Sequence, residues 1–156
     1  MLLLTLVVAA CSSCGFQVRS AAHMPPEMQR TYIQADDRHS LFYQSLLKEL
    51  KAAGIEVLTS PGGSSAVFAI LTDDTDQRVL SVSARNVPTE YEVYYTVGYS
   101  LEIGDKTLLQ PRTQTRVDNY TWDETLVLGK EQEQRQIRDA IVADLVRVIM
   151  TQLASL

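Results

Sequence analysis

The residues best equipped for chemistry stand at the start of the chain. An apolar run from Leu2 to Ala10 closes on Val8, Ala9 and Ala10, and Cys11 follows directly, with Cys14 three residues on. Small side chains at that point let an extended backbone enter a peptidase, and a cysteine thiolate is a nucleophile able to carry a lipid as a thioether. The run is about nine residues, far short of the roughly 20 needed to span a bilayer. Residues 1–10 are therefore expected to be a signal peptide, and residues 11–156 a single exported domain with a lipid on its N-terminal cysteine. Cys11 meets the small-apolar requirement best. Cys14, preceded by Cys11, Ser12 and Ser13, is the alternative anchor.

Other reactive side chains are poorly arranged for catalysis. His23 and His39 have no Cys, Glu or His at ligand spacing, so no metal site is nominated. Neither a Gly-x-Ser-x-Gly elbow nor a phosphate loop occurs. Asp73, Asp74 and Asp76 lack the glycine and closing glutamate of a calcium loop and read as an acidic turn. No residue is nominated as catalytic, and no cofactor is expected beyond the covalent lipid. Arg112 and Arg116, four apart in a strand-like stretch, would share one face about 13 Å apart and could form a basic track.

These groups need a scaffold, and composition bounds it. The 156 residues suit one domain with an adequate core. Acidic residues outnumber basic ones by 19 to 14, a net charge of −5, which disfavours a nucleic-acid partner. Both cysteines lie in the processing region, so no disulfide framework supports the fold.

Along the chain, Thr31 to Gln34 reads as a short strand after Pro25-Pro26. Ser40 offers an N-cap to a helix with Leu41, Phe42, Leu46, Leu47 and Leu50 at helical spacing, stopped by Gly54. A brief strand over Ile55 to Leu58 leads into the Ser60 to Ser65 loop. Ala66 to Leu71 and Val79 to Ala84 flank the acidic turn as a strand pair. From Tyr91 to Ile103 every odd position is apolar, the mark of a strand with one buried face. Gly104-Asp105 turns this strand back onto a partner, Thr107 to Val117, leaving Tyr120 and Trp122 in a following loop. The last stretch, Lys130 to Leu156, carries an apolar stripe of Ile137, Ile141, Leu145, Val148, Ile149 and Leu153, and reads as a long amphipathic helix. These elements predict an α+β fold: a two-layer sandwich of about four mostly antiparallel strands with two helices packed on one face.

Four stretches stand out: Cys14-Gly15-Phe16-Gln17-Val18-Arg19, Leu50-Lys51-Ala52-Ala53-Gly54-Ile55, the Arg85-Asn86 pair followed by Thr89-Glu90-Tyr91, and Leu128-Gly129-Lys130-Glu131-Gln132-Glu133-Gln134. Through them the chain resembles, nearly end to end, the LptE family of lipopolysaccharide-assembly lipoproteins. The N-terminal pattern also resembles a bacterial lipobox, which implies diacylglycerol on the sulfur, cleavage before the cysteine and acylation, as by palmitate, of the new amino group. Several acyl chains anchor firmly where one does not. Ser12 after Cys11, rather than aspartate, fits sorting to the outer membrane of a Gram-negative envelope. The family cysteine before Gly-Phe matches Cys14.

The resemblance implies a protein that plugs the LptD β-barrel one to one, aids its assembly, binds lipopolysaccharide and helps deliver it to the outer leaflet. It implies that Arg85 and Lys130 bind lipopolysaccharide, with Arg112 and Arg116 as candidates to extend the track. Arg suits phosphate because its planar fork bonds two oxygens, and Lys supplies a point charge. The alternative is a general envelope scaffold or chaperone that binds no glycolipid.

Overall fold

The computed structural model describes residues 24–123 and 127–156. Cys11, Cys14 and the Cys14–Arg19 stretch lie outside the described residues. A short 3-10 turn, Pro26–Gln29, precedes strand β1 (Arg30–Gln34), helix α1 (Leu41–Ala52) and strand β2 (Glu56–Leu58). Three long strands follow, β3 (Ala66–Val82), β4 (Pro88–Ile103) and β5 (Lys106–Thr121), and then helix α2 (Val127–Leu153).

The strands form one sheet in the order β2-β1-β3-β4-β5. The fold is the expected α+β sandwich, with five strands rather than about four and a mixed sheet. β1 is parallel to β2 and to β3, while β3, β4 and β5 pair antiparallel. Parallel neighbours need a crossover, and α1 supplies it between β1 and β2.

Helix α1 has both ends closed locally. Ser40 Oγ accepts from Tyr43 N–H at 3.0 Å, satisfying one of the first free amides. At the other end Gly54 has φ +83°, Ile55 N–H donates to Leu50 O at 3.0 Å and Gly54 N–H to Lys51 O at 3.0 Å. That pair of bonds is the Schellman closure, which glycine permits by entering the left-handed region. Phe42, Tyr43, Leu46 and Leu50 are its buried residues, whereas Leu41 faces solvent.

One expectation is corrected. Ala66 to Leu71 and Val79 to Ala84 are not two strands around an acidic turn: Ala66–Val82 is one strand, β3, and Ser83 and Ala84 lie past its end. In register with β4, Asp73 lies opposite Val97, Asp74 opposite Thr96 and Asp76 opposite Tyr94, after a bulge between Ile70 and Thr72. Asp73 points inward, where its carboxylate accepts Ser40 Oγ–H at 2.5 Å and Tyr95 O–H at 2.6 Å. Burial first, then that bond to Asp73, pushes the Tyr95 phenol far above its ordinary value. Asp74 and Asp76 point to water on the other face. Long-range pairing keeps three acidic residues in a strand against their weak β propensity.

β4 obeys its alternation: Val93, Tyr95, Val97, Tyr99 and Leu101 are all buried against the helical layer. β5 runs past the expected end to Thr121, so Tyr120 is a strand residue and is buried. In α2 the covered side includes Val142 and Val146 besides Ile141, Leu145, Ile149 and Leu153, while Ile137 is only partly buried. The two helices and the sheet's inner face share one apolar cluster, to which each fully buried Leu, Ile or Phe contributes about 1.5–3 kcal/mol.

Candidate functional site

The β3–β4 hairpin ends in a tip built by its backbone. Ser83 N–H donates to Val87 O at 2.8 Å and Asn86 N–H to Ser83 O at 2.9 Å, while Val87 N–H reaches Ser83 Oγ at 3.2 Å. Asn86 adopts φ +59°, a left-handed conformation that asparagine tolerates better than most residues. Arg85 occupies the summit of this turn, exposed, and among the described residues has no hydrogen-bond or ion-pair partner.

Helix α2 starts at the same end of the sheet. β5 finishes with Thr121 opposite Glu90, and Trp122 N–H donates to Thr89 O at 2.9 Å. Gln134 Nε2 donates to Gln77 Oε1 at 2.6 Å, and Tyr120 O–H reaches the same oxygen at 3.1 Å, so the helix's early turns are tied to β3. Lys130 sits one turn before Gln134. Its side chain is 16% exposed and its Nζ lies 2.7 Å from Glu133 Oε2. At this end of the sheet Tyr91 and Tyr120 stack at 5.7 Å, and Trp122 meets both rings edge-on, at 5.7 and 6.5 Å. Burial raises the Tyr120 phenol above its usual value.

The fold thus brings Arg85 and Lys130 to one end. It does not bring Arg112 and Arg116 with them. Both point to the helical side, opposite Tyr99 and Tyr95. By strand rise these levels lie roughly 30 and 17 Å from Glu90. Arg116 Nε is held by Asp144 Oδ2 at 3.0 Å, and Asp144 also pairs with Arg147. Arg112 is exposed and, among the described residues, unpaired.

Sequence reasoning missed the apolar side chains of Val79, Leu80 and Val82, which stand exposed beside the tip. Their signal was the Val79-Leu80 doublet, which breaks alternation and marks the bulge between Val79 and Ser81.

A mixed sheet covered on one face by two helices is a fold this chain shares with bacterial lipoproteins of known structure. An uncharacterized lipoprotein B from Nitrosomonas europaea superposes with a TM-score of 0.71 at 23% identity, covering 90% of this chain and 91% of that one. The rare lipoprotein B of Shewanella oneidensis does so with a TM-score of 0.69 at 18% identity, covering 81% and 94%. The family itself is given by the sequence: the model of LptE, described as lipopolysaccharide-assembly, matches residues 28–153, and the chain belongs to the LptE family. The LPS-assembly lipoprotein LptE of Yersinia enterocolitica is 24% identical over 96% of this chain and 74% of its own length.

Proposed function

We propose that this protein is a non-catalytic outer-membrane lipoprotein that plugs the LptD β-barrel one to one, aids its assembly and helps deliver lipopolysaccharide to the outer leaflet. Arg85 and Lys130 bind the lipid A phosphates. The observation that carries the reading is the placement of both cations at the same end of the sheet, in a chain whose family is described as lipopolysaccharide-assembly. Arg85 is free to take a phosphate bidentately. Lys130 engages by exchanging Glu133 for the more highly charged phosphate, close to the amides that begin α2. The acyl anchor on Cys11 keeps the domain at the membrane, and this raises its effective concentration for the barrel.

Two measurements test the proposal. Mild solubilisation of outer membranes should yield the tagged protein together with a barrel in equal amounts, and recovery of the protein alone would sink the plug. Arg85→Ala and Lys130→Ala should each weaken lipopolysaccharide binding about fivefold, near 1 kcal/mol for a partly exposed charge pair. Unchanged binding in the double variant would favour the scaffold without glycolipid.

A further inference from the structure

From Thr72 to Arg78, β3 is polar on both faces, and then it carries Val79, Leu80 and Val82. These three are 48%, 47% and 52% exposed, although aliphatic side chains are the ones a fold most readily buries. Two features of the sheet leave them bare. β1 pairs with β3 only through Ala66–Ala69, so the rest of β3 is an open edge. Register shifts between Val79 and Ser81 and again between Ser81 and Val82 leave Leu80 without a partner in the ladder. The strip runs directly into the tip that bears Arg85. Glu90, on the facing strand, is already engaged by Asn119 Nδ2 at 3.0 Å and by Ser81 Oγ at 3.4 Å.

We propose that Val79, Leu80 and Val82 form a docking strip for the acyl chains of the anionic glycolipid whose phosphates Arg85 and Lys130 hold. This inference rests on the glycolipid reading above and adds its second half: the hairpin end recognises an amphiphile, head and tail together. Charge complementarity selects this occupant, because a partnerless cation at one end of an aliphatic strip matches an anionic head on a hydrocarbon chain. The side chains agree. Protein-binding patches are enriched in exposed aromatics and methionine, whereas the aromatics here, Tyr91, Tyr120 and Trp122, pack on one another, with Tyr91 in register beside Val79.

The test uses the full-length protein with two probes, lipid A and its fully deacylated bisphosphorylated disaccharide. The triple variant Val79→Thr, Leu80→Thr, Val82→Thr places β-branched, strand-favouring side chains at three exposed positions, so the fold is kept. It should bind lipid A about tenfold more weakly and the disaccharide as the parent does. Leu108→Thr, which alters an exposed leucine at the opposite end of the sheet, should change neither. Parental affinity of the triple variant for lipid A overturns the strip, and so does an equal loss for both probes. The double variant Arg85→Ala, Lys130→Ala should lose both probes. If it loses neither while the triple variant still loses lipid A, the phosphate reading fails and the strip stands.

Discussion

Between Tyr99 and Ile103, β4 turns its inward side chains toward Ile70, Phe68 and Ala66 of β3, and beyond β3 lies Ile33 of β1. A few residues earlier the same strand's inward Val97, Tyr95 and Val93 are flanked by Asp73, Thr75 and Gln77 on β3 and by Gln114, Arg116 and Asp118 on β5. One central strand therefore serves a five-stranded half whose β3 neighbours are apolar and a three-stranded wing whose neighbours are polar on both sides. The five-stranded half holds the fold by burial. In the wing, directed bonds replace part of that burial, and the edge strands can carry charge and exposed apolar groups at little cost to the core.

Substitutions in each part bear on that division. The largest effect is expected from Phe68→Ala. Phe68 is fully buried and stacks on Tyr99 at 5.6 Å, and the cavity should cost about 3–5 kcal/mol in urea unfolding. Val79→Ala in the wing should cost under about 1 kcal/mol, since its side chain is already half in water. Comparable losses at the two sites would break the comparison.

Asp73→Ala comes next. It strips the acceptor from Tyr95 O–H and Ser40 Oγ–H, leaving the buried phenol's proton without an acceptor, and should cost about 2 kcal/mol. Adding Tyr95→Phe removes the orphaned hydroxyl, so the double variant should be less destabilised than the sum of the single ones. Strict additivity would mean that the wing owes nothing to this bond.

The same residue marks where the sequence stops being readable. Strand β4 was legible because it is central in both halves and its inward positions are apolar throughout. Helix α1 was legible because Ser40 and Gly54 act on their own neighbours. β3 was not: Asp73 belongs in a strand only because Ser40 and Tyr95 await it, 33 and 22 residues away. The parallel placement of β1 beside β3 is likewise a long-range choice with no local signature. For the candidate site, Arg85 was legible as a loop cation. Its convergence with Lys130 depended on the β4–β5 register, and Arg116, which looked available, is held by a carboxylate on the facing helix.

That carboxylate supplies the smallest and most specific effect. Arg147 first, and then Arg116, hold the Asp144 carboxyl below the usual carboxylate range. A group whose value is depressed on folding stabilises the fold above its unfolded value of about 3.9, and loses that contribution as pH falls through its folded value. The site is partly exposed, so screening limits Asp144→Asn to about 0.5 kcal/mol at pH 7. The difference between parent and variant should close as pH falls below about 4, and it should shrink in high salt at neutral pH. A gap that persists in acid would mean that Asp144 acts through packing between α2 and β5 rather than through charge, and the wing would then share the five-stranded half's mode of cohesion.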